Sequence, residues 1–216
     1  MPRPKNHQKM LSQLVGQTVQ GIQAAQAQYR KWTEDGWWLS GGAEYLATVN
    51  IAQAIHANVQ GARYVTVEHN IKDTLTHTRG ARKRVRQRVR LPKNGRFDVV
   101  VWTPKNHAAA VIEVKTRTLT WASVRGDVRR VCEALLKFDG LRWGLVAYYM
   151  DMEQGPLKSA EEKIKTRTLG IANRAKGYAH EKDIRCLRRR GRPRNVEFED
   201  GSAFAWTAEV LVFWRK

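Results

Sequence analysis

Cysteine is scarce: Cys132 and Cys186 are the two in 216 residues. They have no metal-ligand spacing and make no disulfide framework, which excludes a stapled scaffold and a zinc ribbon. Both are expected as reduced thiols in a cytoplasmic chain, with nucleoid association left open. No apolar run approaches the roughly 20 residues of a membrane-spanning helix. The start, MPRPKNHQKM, lacks the apolar core of a signal peptide, so neither membrane insertion nor export is expected. His56, His69, His77 and His107 follow no zinc pattern. There is no Gly-Lys-Ser/Thr phosphate loop and no nucleophile-elbow serine. Acidic residues are the last deficit: 20 Asp and Glu stand against 39 Lys and Arg, a formal net charge of +19.

That imbalance suits a polyanionic partner, because neutralising phosphates releases condensed counterions. A hydrophobic share of 42% and eight tryptophans indicate a folded chain. Its length allows one substantial core, or one domain with an appendage. The expected division is an N-terminal helical arm, 1–35, and a main domain, 36–216. Within the latter lie a core at about 40–150 and a basic C-terminal extension, 151–216.

Leu11, Val15, Thr18, Ile22, Ala25, Tyr29 and Trp32 recur every three or four residues and predict a helix over 8–33. Packing on its own domain is the favoured reading of it, and a dimerisation arm the sharper one. Ser40 is a candidate cap for a second helix at about 43–59, striped by Tyr45, Leu46, Val49, Ala52 and Ile55. Strands are expected at 63–70, 84–91, 96–103, 109–115, 143–152 and 205–215. PKNG at 92–95 is a turn signal. Further helices are expected at about 121–138 and 157–176, the latter with Leu157, Ile164, Ile171 and Ala175 inward. The order is helix, strand, strand, strand, helix, strand, with a leading helix and a C-terminal helix and strand extension. It describes an α/β fold with helices flanking one central sheet. The duplicated KTRTL at 115–119 and 165–169 has no wider similarity around it and is read as coincidence.

The chemistry concentrates in RFDVVVWTPKNHAAAVIEVK, 96–115. Asp98 opens one apolar strand, and Glu113 and Lys115 end the next. Residues two apart share a strand face, so Glu113 and Lys115 point together while Val114 points into the core. Neighbouring strands lie about 4.8 Å apart, close enough for two carboxylates to share a cation. Magnesium is commonly held by one or two carboxylates and a substrate phosphate, and a lysine beside it can act on the water or offset phosphate charge.

Asp98 followed by Glu113-Val114-Lys115 resembles the signature of the PD-(D/E)XK nuclease superfamily, and the likeness spans about residues 40–150. Phe97 stands where the family's nominal proline would be, and no glutamine follows Lys115 before Phe138 as in the exonuclease branch. The resemblance implies a restriction-endonuclease-like core and a metal-dependent nuclease. Asp98 and Glu113 would bind Mg2+, with Mn2+ as a substitute, and Lys115 would act on the water or the phosphate. Glu44, in the first turn of the core helix, would support the metal site. DNA is expected over RNA, and a homodimer is left open. The alternatives are a non-catalytic nucleic-acid-binding protein of the same fold and an RNA-binding factor.

Two basic clusters are expected to grip nucleic acid. Arg82, Lys83, Arg84, Arg86, Arg88 and Arg90 precede the Asp98 strand and form an arginine face if 84–91 pairs with 96–103. RCLRRRGRPRN at 185–195 holds Arg190 and Arg192 in a sequence like an AT-hook core, and a basic loop is the plainer reading. Arg125, Arg129 and Arg130 are candidates to extend the same surface. Trp37 and Trp38, just before the Glu44 helix, are candidates for stacking on unpaired bases.

Overall fold

A computed structural model describes residues 5–42, 44–76, 91, 95–138, 140–199 and 201–216. Helix α1 (Lys5–Trp32) is followed by a short 3-10 turn at Leu39–Gly41, then α2 (Glu44–Asn58), β1 (Tyr64–Asn70) and a short α3 (Ile71–Thr76). Next come β2 (Arg96–Trp102), β3 (Ala108–Lys115), α4 (Trp121–Lys137) and β4 (Trp143–Glu153). The chain continues as α5 (Ala160–His180), β5 (Ile184–Arg190), β6 (Arg194–Glu197) and β7 (Ala203–Arg215). The strands form one mixed sheet in the order β1-β2-β3-β4-β7-β5, with β6 also on β7. Among the described strands, only β3 and β4 run parallel, joined by α4 as a crossover helix.

Helices cover both faces of this sheet. On one, Leu14 and Ile22 of α1 and Ile51 and Ile55 of α2 pack with Val99, Ile112, Leu145 and Val210. On the other, Val124, Val128 and Val131 of α4 and Ile164 and Ile171 of α5 pack with Val100, Val111, Val146 and Leu211. This two-sided cover explains why AAAVI in β3 is apolar without alternation. Gly21 lets α1 approach α2 closely: a β-carbon there would stand 2.5 Å from Ile51 Cα. The glycine that weakens the isolated helix is therefore what brings α1 onto the body.

Four local expectations differ from the structure. Ser40 does not cap α2; it lies in the 3-10 turn and its hydroxyl donates to Asp151 Oδ2 at 2.5 Å. Leu157 is 93% exposed, because α5 starts only after Ser159. The Ser159 hydroxyl accepts from the Glu162 amide while Glu162 accepts from the Ser159 amide, a capping box that sets the helix start. The segment 185–195 is not a loop; most of it pairs with β7 as strands β5 and β6. Finally, β2 has β1 on one edge and β3 on the other, which fills its ladder from Val99 to Trp102 and leaves no edge there for 84–91. Residues 84–90 themselves lie outside the described residues, as do the turn residues 92–94.

Candidate active site

The register of β2 and β3 places two acids opposite each other. Val99 pairs with Ile112 and Val100 with Val111. One step further along the same ladder, Asp98 faces Glu113. Directly opposed side chains on neighbouring strands are about 5 Å apart at Cβ. Asp98 Oδ2 accepts the Val114 amide at 2.6 Å. Both carboxylates lie on the α4 side of the sheet, where α4 supplies Asp127 and Arg130.

Glu113 is 1% exposed. Arg130 Nη1 donates to its Oε2 at 2.7 Å, while its Oε1 is buried without a hydrogen-bond partner. Arg130 Nη2 also lies 3.8 Å from Asp127 Oδ1. A buried carboxylate oxygen with nothing to accept from costs free energy unless a cation or donor reaches it. Burial holds the Glu113 carboxyl well above the ordinary range, and the Asp98 charge adds to this while Arg130 opposes it. Burial likewise lifts Asp98 from 3.8 to about 6, against the Val114 amide and the Lys115 charge, and with Glu44 and Glu68 pushing it up. Asp127 is raised too, by burial first, against the pull of Lys115 and Arg130.

Lys115 sits at the half-exposed end of β3. Its Nζ donates to Glu44 Oε1 at 2.9 Å, and the Thr116 amide reaches Glu44 Oε2 at 3.4 Å. Burial works against the ammonium charge, but the Glu44 hydrogen bond and the charges of Asp127, Glu44 and Asp98 outweigh it, so the Lys115 pKa rises. Glu44 is at the first turn of α2, where the helix dipole favours a negative charge. It is committed to Lys115 and the β3 terminus, and acts on Asp98 through its charge.

The structure thus brings together Glu44, Asp98, Glu113 and Lys115 at the shared end of β2 and β3 and the start of α2. Arg190 and Arg192 lie elsewhere, towards the far edge of the sheet: Arg190 pairs across from Glu209 at the end of β5, three strands from β3, and Arg192 is exposed in the turn before β6. Arg82, Lys83, Arg84, Arg86, Arg88 and Arg90 lie outside the described residues. Arg130 turns in on Glu113, whereas Arg125 and Arg129 face outward, Arg129 while bonding Glu133 at 2.8 Å. Trp37 is 62% exposed, whereas Trp38 stacks on Phe204 with ring centroids 5.6 Å apart.

Sequence reasoning missed Asp127 and Arg130 as part of this cluster. Their spacing of three on one helix was the available signal, since residues so spaced share a helix face. A further acid, Glu68 of β1, is exposed. Glu68 has a left-handed φ of 49° and interrupts the ladder between Val67↔Val99 and His69↔Phe97, which places it opposite Asp98. A non-glycine residue there is strained, and such strain gathers at functional sites.

Among the described residues, no group of three or more His, Cys, Asp or Glu side chains is arranged to hold a metal ion. The Asp98 and Glu113 pair, with the unpartnered Glu113 Oε1, nonetheless fits a hard cation that takes one or two protein carboxylates and draws its other ligands from water and phosphate. No helix among the described residues is long and apolar enough to cross a membrane. The chain matches no protein-family model and no curated protein.

Proposed function

We propose that the protein is a metal-dependent nuclease with a restriction-endonuclease-like core, acting on DNA. The observation that carries this reading is the facing of Asp98 and Glu113 across β2 and β3, with Lys115 beside them. Two carboxylates whose charges are both disfavoured by burial, that of Glu113 further by Asp98, form a site that a divalent cation relieves. Mg2+ or Mn2+ held by Asp98 and Glu113 supplies activated water and charge neutralisation at a phosphodiester. Lys115 stays charged, because its pKa is raised; its role is to meet the phosphate charge and orient the water rather than to accept a proton. Glu44 aims Lys115, and Arg130 fixes the Glu113 carboxylate. The net charge of +19 draws the polyanion in.

The test is cleavage of plasmid, linear duplex, single-stranded DNA and RNA with magnesium and with chelator. Asp98→Ala and Glu113→Ala abolish cleavage and largely keep binding. Cutting by Glu113→Ala at the unmodified rate would overturn the assignment. A second reading is favoured by the 2.7 Å Arg130–Glu113 ion pair, in which an arginine takes the place of a cation. It is a nucleic-acid-binding protein without turnover, whose signature is shifted bands and no products in any divalent metal.

A further inference from the structure

A groove of about 1030 Å³ runs between α1 and the sheet edge formed by β5 and the end of β7. It lies on the α1 face, away from α4, and β5 is three strands removed from β3. At about 4.8 Å per strand this is about 14 Å across the sheet from Glu113. Its floor is apolar, built from Leu11, Val15 and Val19 of α1 with Leu187, Val212 and Trp214 of the strands. One rim carries Gln8, Gln20 and Gln23. The other carries Arg185 and Arg189, which flank Leu187 on the β5 face turned to α1. Both arginines are exposed, and neither makes an ion pair among the described residues. Five lining residues are Arg or Lys and none is acidic.

We infer that this groove binds a single strand of nucleic acid. Phosphates lie along Arg185 and Arg189, and bases lie on the apolar floor beside Trp214, where flat faces replace water. The glutamines offer both donors and acceptors to base edges. The groove's α1 wall spans about 22 Å between Gln8 and Gln23 at about 1.5 Å per residue, room for several nucleotides. A second copy of the chain is disfavoured as the occupant, since each copy carries +19. The inference rests on the nucleic-acid reading above but not on catalysis, because the groove shares no residue with the acidic cluster.

Arg185→Ala/Arg189→Ala tests it, with thermal unfolding to check the fold. Binding of a labelled thymidine oligonucleotide of about 20 residues is measured by anisotropy in chelator across a salt series. Losing two phosphate contacts lowers the salt slope by about 1.4, and affinity roughly tenfold near 0.15 M salt. Magnesium-dependent cleavage of blunt duplex is measured in parallel on both proteins. An unchanged slope and affinity would overturn the groove while leaving the nuclease reading to stand on cleavage. Cleavage absent from both proteins, with the tenfold loss present, would overturn the nuclease and keep the groove. Competition by a poly-glutamate peptide as strong as by the oligonucleotide would overturn the nucleic-acid assignment in favour of an acidic protein segment.

Discussion

Replacing Asp98 by asparagine should make the cation-free protein more stable while silencing it. Burial lifts Asp98 from 3.8 to about 6. A carboxyl whose folded pKa is raised contributes its stability below the unfolded value and loses it as pH rises through the folded value. The loss therefore develops between about pH 4 and pH 6 and persists above. At about 1.36 kcal/mol per unit the shift corresponds to about 3 kcal/mol, which partial solvent access reduces to about 2 kcal/mol. The asparagine side chain keeps an oxygen for the Val114 amide, whose nitrogen lies 2.6 Å from Asp98 Oδ2, and presents an amide donor towards Glu113. For a chain of 216 residues the gain corresponds to about 4–8 °C in Tm. The assay is thermal unfolding of both proteins in chelator from pH 4 to pH 8. The curves should coincide near pH 4 and separate by pH 7 with Asp98→Asn higher. Added magnesium should raise Tm of the unmodified protein alone, since a ligand stabilises only the state it binds. A difference that does not vary with pH, or an Asp98→Asn protein that melts lower at pH 7, would refute the idea that burial of this charge is the cost.

Lys115→Ala should reduce cleavage by about 100- to 1,000-fold with oligonucleotide affinity little changed, read by single-turnover kinetics beside anisotropy. Arg188→Ala should destabilise by about 3–5 kcal/mol, because Glu209 is 0% exposed and loses bonds of 2.6 and 2.8 Å from one guanidinium; denaturant unfolding at neutral pH measures this. Gly21→Ala should cost about 1–3 kcal/mol despite the better helix propensity of alanine, because its methyl meets the α2 backbone at Ile51. A stabilised Gly21→Ala protein would show that α1 and α2 can part more easily than their packing indicates.

Apolar periodicity alone set out most of the elements. The strand expected over 96–103 forms as Arg96–Trp102, and that over 109–115 as Ala108–Lys115. The helix expected at 121–138 forms as Trp121–Lys137. These are local properties: which side chains alternate, where a turn residue stands, which face is apolar. The spacing of Glu113 and Lys115 was legible for the same reason, since two residues on one strand always share a face. The start of α5 was legible in Ser159 and Glu162, yet Leu157 suggested an earlier one, because an apolar side chain carries no information about whether anything comes to cover it.

Residue order alone carries composition, charge and local pattern: a basic folded chain of alternating helices and strands, with an acid, an acid and a lysine at strand ends. Which groups meet is set by strand register and long-range packing. The β2/β3 register set Asp98 opposite Glu113, and the α4 crossover brought Arg130 to within 2.7 Å of that glutamate. Folding of α2 against the sheet gave Lys115 to Glu44, 71 residues away in the chain. The basic stretch at 185–190 reads as a loop by composition but is a strand, because β7 offers it a ladder partner and Glu209 takes the charge of Arg188. Pairing partners and long-range charge neutralisation belong to the whole molecule, since each depends on distances that no stretch of sequence contains.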